Sequence, residues 1–169
     1  MEIAGLQSLT LLDYPGKVAC TVFFAGCNLR CPYCHNAALV LPGLSPPPRT
    51  EESLLSFLQS RRGKLDGVCL TGGEPTLQKD LPALIRKIRA MGFLVKLDTN
   101  GTRPEVLKAL LDESLLDYVA MDIKNAPDRY AETCGADVLD EVEKSVALLR
   151  RGTVPYEFRT TVAHPYHTP

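Results

Sequence analysis

The 169-residue sequence has no excess of charge of either sign, with 19 Lys and Arg against 20 Asp and Glu and a formal net charge of −1. That removes the basic footprint of a nucleic-acid binder and the polybasic patch that holds a protein to anionic lipid. No apolar run reaches about 18 residues, which excludes a transmembrane helix. Met1-Glu2-Ile3-Ala4-Gly5 lacks the basic-then-apolar design of a secretory signal. There is no internal sequence repeat, and nothing of low complexity beyond Pro46-Pro47-Pro48. What remains is 45% hydrophobic and 23% charged, an ordinary globular mix. The length suits one domain over residues 1–169, and the expected location is the cytoplasm.

A cytosolic chain keeps its thiols reduced, so its six cysteines are read as metal-binding or catalytic rather than as a disulfide frame. Cys20 and Cys69 sit in apolar runs, where cysteine behaves as a small hydrophobe. Cys134 lies in an expected loop. Cys27, Cys31 and Cys34 crowd into eight positions.

Hydrophobic patterning gives an alternating order. Strands are expected at Val18–Phe24, Val68–Thr71, Phe93–Leu97, Tyr118–Met121 and Tyr156–Val162. Between them fall helices at Glu51 to about Arg61 capped by Thr50, at Leu81 to Met91 with Gly92 behind, at Pro104 to Leu111, and at Val138 to Leu149 ended near Gly152. Ser45-Pro46-Pro47-Pro48 suits neither a helix nor a central strand. Such alternation implies an α/β fold with a parallel sheet, open or barrel-like.

In parallel α/β sheets, ligands bind where the loops leave the carboxyl ends of the strands. Cys27, Cys31 and Cys34 follow the first expected strand, and Gly72, Gly73 and Glu74 the second. Asp98, Thr99 and Asn100 follow the third, and Asp122 and Lys124 the fourth. Four loops therefore place their unusual chemistry on one rim. The glycines permit close approach of a ligand to the backbone, and a carboxylate beside them would suit a bound ammonium. Two carboxylates on neighbouring strand ends repel unless a cation or a hydroxyl-rich ligand lies between them. Lys124 would supply a salt bridge or hold a ligand carboxylate.

The spacing Cys27-x3-Cys31-x2-Cys34 lets three thiolates wrap one inorganic core. A [4Fe–4S] cube normally takes four cysteines, so three leave one iron free. Two other readings stand beside this one. A zinc site needs a fourth ligand, for which the adjacent His35 is poorly placed, and the thiols are otherwise structural.

These residues resemble the radical S-adenosylmethionine enzymes, through Cys27-x3-Cys31-x-Tyr33-Cys34 and Gly72-Gly73-Glu74-Pro75. Within that superfamily, Leu11-Leu12-Asp13-Tyr14-Pro15-Gly16, Asp98-Thr99-Asn100-Gly101 and Met121-Asp122-Ile123-Lys124 resemble the activating proteins of glycyl radical enzymes, especially that of the anaerobic ribonucleoside-triphosphate reductase. The resemblance implies a partial (β/α)6-type barrel and a [4Fe–4S] cluster on Cys27, Cys31 and Cys34, with S-adenosylmethionine on its open iron. Gly72, Gly73 and Glu74 would meet the methionine ammonium, Tyr33 the adenine and Lys124 the methionine carboxylate. Asp98 and Asp122, with Thr99, would bound a monovalent cation or the ribose, and Asn36, Asn100 and Arg159 are further contacts. One electron would split the sulfonium into methionine and a 5′-deoxyadenosyl radical, which takes hydrogen from a glycine of the partner enzyme. A flavodoxin or ferredoxin would supply the electron. No general base is needed, in keeping with the absence of a Ser/His/Asp or Cys/His set.

Members of this family continue past the fifth strand into another βα unit, so a chain stopping at Pro169 is expected to lack its last unit and to expose a strand edge. A small-molecule substrate within the same superfamily, or a non-catalytic zinc module, are the competing functions.

Overall fold

The computed structural model describes residues 1–41 and 47–167. Ser45 and Pro46 of the proline-rich segment lie outside the described residues, whereas Pro47 and Pro48 are irregular, as expected. Among the described residues six strands form one sheet in chain order: β1 (Ile3–Thr10), β2 (Ala19–Phe24), β3 (Gly67–Gly72), β4 (Leu94–Thr99), β5 (Tyr118–Asp122) and β6 (Tyr156–Arg159). Strands β2 to β6 are parallel, each to the next, and β1 runs antiparallel to β2. The sheet is open rather than closed, with β1 and β6 as its edges.

Helices occupy each parallel crossover: α1 (Ala37–Val40) and α2 (Glu51–Ser60) before β3, α3 (Leu81–Ala90) before β4, α4 (Pro104–Asp112) before β5, and α5 (Tyr130–Cys134) and α6 (Leu139–Arg151) before β6. Their ends follow local chemistry. The Thr50 hydroxyl accepts the Ser53 N–H at 3.2 Å and caps α2. Pro104 opens α4, where its missing N–H costs nothing. Gly92, at φ +94°, turns the chain after α3 into a backbone region that a side chain would strain.

Parallel register sorts each strand into two faces. Val22, Leu70, Leu97 and Val119 align across β2 to β5 and share a core with Leu84, Ile85 and Ile88 of α3, all fully buried. Each such side chain contributes about 1.5–3 kcal/mol by leaving water. The opposite row is Thr21, Cys69, Lys96 and Tyr118. It mixes polar groups into the interior below the strand ends.

The structure departs from expectation in several places: α1 lies in a stretch expected to be loop, and Asp98 and Thr99 close β4 rather than follow it. β1 is an additional edge strand, and the fifth expected strand ends at Arg159 rather than Val162. Cys134 closes a short helix instead of lying in a loop. No helix among the described residues is long and apolar enough to cross a membrane.

Candidate active site

The loops that leave β2 and β3 are laid directly against each other. Gly73 N–H donates to Phe24 O at 2.9 Å and Glu74 N–H to Gly26 O at 2.8 Å. A Cβ at Gly73 would stand 1.9 Å from Gly26 O, and one at Gly72 would stand 2.3 Å from Phe24 N. Only glycine permits this approach, which fixes the glycine loop on the root of the cysteine loop. On its far side the cysteine loop is held by Arg30 N–H donating to Cys134 O at 2.8 Å.

Glu74 differs from the expectation of a carboxylate offered to an ammonium. Its side chain is completely buried. Oε1 accepts from Thr76 N–H at 3.1 Å, from the Thr76 hydroxyl at 2.5 Å and from the Thr99 hydroxyl at 2.8 Å. Oε2 accepts from Asn100 N–H at 2.7 Å. A carboxylate has about four acceptor sites, so this one is spent on joining the loops after β3 and β4. What the glycine loop offers a ligand is backbone. Burial pushes the Glu74 carboxyl above its ordinary range, against the pull of these four donors.

The three cysteines are half-buried on one wall. Burial raises the Cys27 thiol, and Asn100 Nδ2 points at its sulfur from 3.8 Å. Asn100 also donates to Asn28 Oδ1 at 3.0 Å, and Asn28 to the Thr102 hydroxyl at 2.8 Å. Cys31 is pulled down to about 7, chiefly by a hydrogen bond from the Cys134 thiol, which is itself pushed up by the same bond. Tyr33 donates its hydroxyl to Lys124 O at 3.0 Å, and its ring lies against Tyr166 and His167 with centroids 5.8 and 5.5 Å away.

At the ends of β4, β5 and β6 charges alternate. Lys96 Nζ donates to Asp98, Arg159 bridges Asp98 and Asp122 at 3.2 Å each, and Lys124 Nζ donates to Asp122 at 2.9 Å. Burial alone would lower Lys124 and Arg159, but the neighbouring carboxylates outweigh it and raise both. Arg159, expected to touch a ligand, is engaged by these two carboxylates.

Every residue proposed from the sequence as a site residue lines one cleft of about 510 Å³, within the range of cofactor pockets. The cysteines, Tyr33 and Asn36 form one side, Gly72 to Glu74 and Asn100 the next, and Asp98, Asp122, Lys124 and Arg159 the third. Sequence reasoning missed Lys96, although a lysine inside an apolar strand two residues before Asp98 is a signal of a buried pair. It also missed Asn28 and the thiol behind Cys31, which only tertiary packing brings together.

The donor set fits a [4Fe–4S] cluster held by three thiolates, since each ligand of a cube takes a different iron. Among the described residues, no three His, Cys, Asp or Glu side chains converge as the ligands of a single ion would. The monovalent cation fits less well, because Arg159 stands between Asp98 and Asp122 and the Thr99 hydroxyl is already bonded to Glu74 and Gly101 N–H.

Comparison with known proteins agrees with the geometry. The chain is 38% identical over 165 residues to a Methanocaldococcus jannaschii protein that carries the provisional name of glycyl-radical enzyme activating enzyme, covering 94% of this chain and 67% of the relative. It is 31% identical over 160 residues to the 7-carboxy-7-deazaguanine synthase of Thermococcus kodakarensis, covering 83% of this chain and 62% of that one. The solved structure of native anSMEcpe with bound AdoMet and the Cp18Cys peptide superposes with a TM-score of 0.58 at 25% identity, over 82% of this chain and 40% of that one. The model of the radical SAM superfamily matches residues 21–169. Matched from the middle of β2 onward, through every loop that lines the cleft, the chain belongs to the radical SAM superfamily, with a relationship to its activating enzymes, and that membership implies a [4Fe–4S] cluster and S-adenosylmethionine.

Proposed function

We propose that this chain activates a glycyl radical enzyme, removing a hydrogen atom from a glycine Cα of its partner. The observation that carries the reading is the identity of 38% along 94% of the chain with the Methanocaldococcus jannaschii relative. The cleft supports it with three thiols on one wall and cation–carboxylate pairs on another.

Cys27, Cys31 and Cys34 hold the cluster. When bound, the cluster supplies one electron to the sulfonium of S-adenosylmethionine and so starts radical chemistry. This chain's residues orient that ligand and keep water from it. The backbone of Gly72 and Gly73 receives the methionine ammonium. Lys124, charged and held by Asp122, faces the methionine carboxylate. Tyr33 and Asn36 line the adenine side, and Asn100 sets the polarity beside Cys27. The proposed partner is the anaerobic ribonucleoside-triphosphate reductase, with a flavodoxin or ferredoxin as electron donor.

The test is anaerobic reconstitution followed by incubation with that reductase carrying deuterated glycine. Deuterium entering 5′-deoxyadenosine, together with a glycyl radical signal by electron paramagnetic resonance, is the expected result. Cleavage of S-adenosylmethionine with no deuterium transfer overturns it. Replacing any one of Cys27, Cys31 or Cys34 by Ala should abolish both cluster binding and cleavage. A second reading, a small-molecule substrate, is favoured by the 31% identity to 7-carboxy-7-deazaguanine synthase. It predicts deuterium transfer from the small molecule instead.

A further inference from the structure

Asp98 and Asp122 are the pair between which family resemblance places a monovalent cation, and their surroundings argue against one. Arg159 Nη1 donates to Asp98 Oδ2 and its Nε to Asp122 Oδ1, both at 3.2 Å, so one planar fork spans the two carboxylates. The remaining oxygens are also taken. Asp98 Oδ1 accepts from Lys96 Nζ and Asp122 Oδ2 from Lys124 Nζ. Each of the four carboxylate oxygens thus faces a cationic nitrogen. The Thr99 hydroxyl, the third expected ligand, is buried, donates to Glu74 and accepts from Gly101 N–H.

The result is an alternating row, Lys96, Asp98, Arg159, Asp122, Lys124, in which three cations meet two carboxylates. Glu157, 4.0 Å from Lys96, stands at its inner end. A metal ion entering this row would displace the guanidinium and then repel it at close range. Arg159 is delivered by β6, which pairs only with β5 among the described residues, Asp122 opposite Arg159 in register. Docking of that short edge strand is therefore what completes the row.

We propose that Arg159 is a tethered replacement for a metal cation: the site takes no monovalent ion, and Arg159 is a positioning residue that sets Asp122 and, through it, Lys124. The ion exclusion stands on this chain alone. Only its consequence for S-adenosylmethionine rests on the function proposed above.

The experiment is thermal unfolding of the whole chain in sodium, potassium or tetramethylammonium chloride at equal ionic strength, with no cluster or nucleotide added. The wild type is expected to melt at one temperature in all three salts. Arg159→Met should melt several degrees lower in tetramethylammonium and recover in sodium or potassium, which fill the vacated position. Arg159→Lys keeps one charge and should remain indifferent to the salt, which preserves a readable variant should Arg159→Met fail to fold. A wild-type melting temperature raised specifically by sodium or potassium overturns the proposal, as does an Arg159→Met protein that recovers in neither. In a second arm, the S-adenosylmethionine-induced change in the resonance of the reduced, reconstituted wild type should have the same concentration dependence in each salt. No change at any concentration, with the melting results intact, counts against the proposed function and leaves the ion exclusion standing.

Discussion

Glu74 Oε2 accepts the backbone N–H of Asn100 at 2.7 Å, a bond inside the protein between the loops that follow β3 and β4. With Oε1 on Thr76 and Thr99, the side chain organises two walls of the cleft from behind. Glu74→Gln turns one acceptor into a donor that faces other donors, leaving buried groups unpaired. A loss of about 2 kcal/mol is expected, read as a fall in Tm of about 4–8 °C. Scanning calorimetry on the protein without cofactors checks it. A variant as stable as wild type would mean that the carboxylate is free to serve a ligand.

A sharper contrast is between Gly73, in the loop after β3, and Gly63, in the turn between α2 and β3. At Gly73 an added Cβ meets backbone, 1.9 Å from Gly26 O, and backbone cannot move aside without shifting the cysteine loop. At Gly63 the φ of +72° is strained for alanine, but open space surrounds the position. Gly63→Ala should therefore cost about 1 kcal/mol. Gly73→Ala should cost about 3 kcal/mol or more and lower the iron retained per chain after reconstitution. Denaturant unfolding and iron analysis distinguish the two. Equal costs would contradict the close approach.

The parallel βα units and the rim of the site were legible in the sequence because their signals are local. Apolar runs of strand length alternate with helical stripes, and the unusual residues follow the strand ends. β1 was not legible. Gln7 and Ser8 interrupt its apolar pattern, and its antiparallel pairing with β2 spans a reversal in which Gly16 has φ +68°, which the strand's own residues do not signal. The burial of Glu74 was equally hidden, since its four donors come from Thr76, Thr99 and Asn100 and only the sheet brings the last two near. The same holds for Arg159. Its place on a strand was expected, while its two carboxylate partners depend on the register of β5 against β6.

Cys20, fully buried on β2, contributes to loss of stability at alkaline pH, as the buried thiol of Cys69 does. Burial pushes its thiol from 9.0 up to about 12. Between those values the folded state holds a proton that the unfolded chain releases, so stability falls as pH rises through this window and is unaffected below it. The slope contributed is about 1.4 kcal/mol per pH unit. Cys20→Ala should be less stable than wild type below about pH 9 by about 1 kcal/mol. Above that its stability should decline more gently, so that the two curves converge. Urea unfolding at stepped pH checks this, and parallel curves would show that the Cys20 thiol makes no such contribution.

Tyr33 and His167 share one acceptor: the Tyr33 hydroxyl donates to Lys124 O at 3.0 Å, and His167 Nε2 approaches the same oxygen at 2.7 Å. In the neutral tautomer that donates from Nε2, Nδ1 accepts from Ala163 N–H at 3.1 Å; the Ala163 carbonyl also lies 3.2 Å from Nδ1. Removing either donor leaves the carbonyl one partner, so each single change should cost only about 1 kcal/mol. Tyr33→Phe is the right probe on one side because it keeps the ring against His167. His167→Ala serves on the other, with His167→Gln as a control that retains a donor. Only the double variant strips the carbonyl of both donors, so its loss should exceed the sum of the singles by about 1 kcal/mol. Denaturant midpoints at constant m measure that coupling. Strict additivity would mean that Tyr33 and His167 hold the segment after β5 independently, through their rings and not through the Lys124 carbonyl.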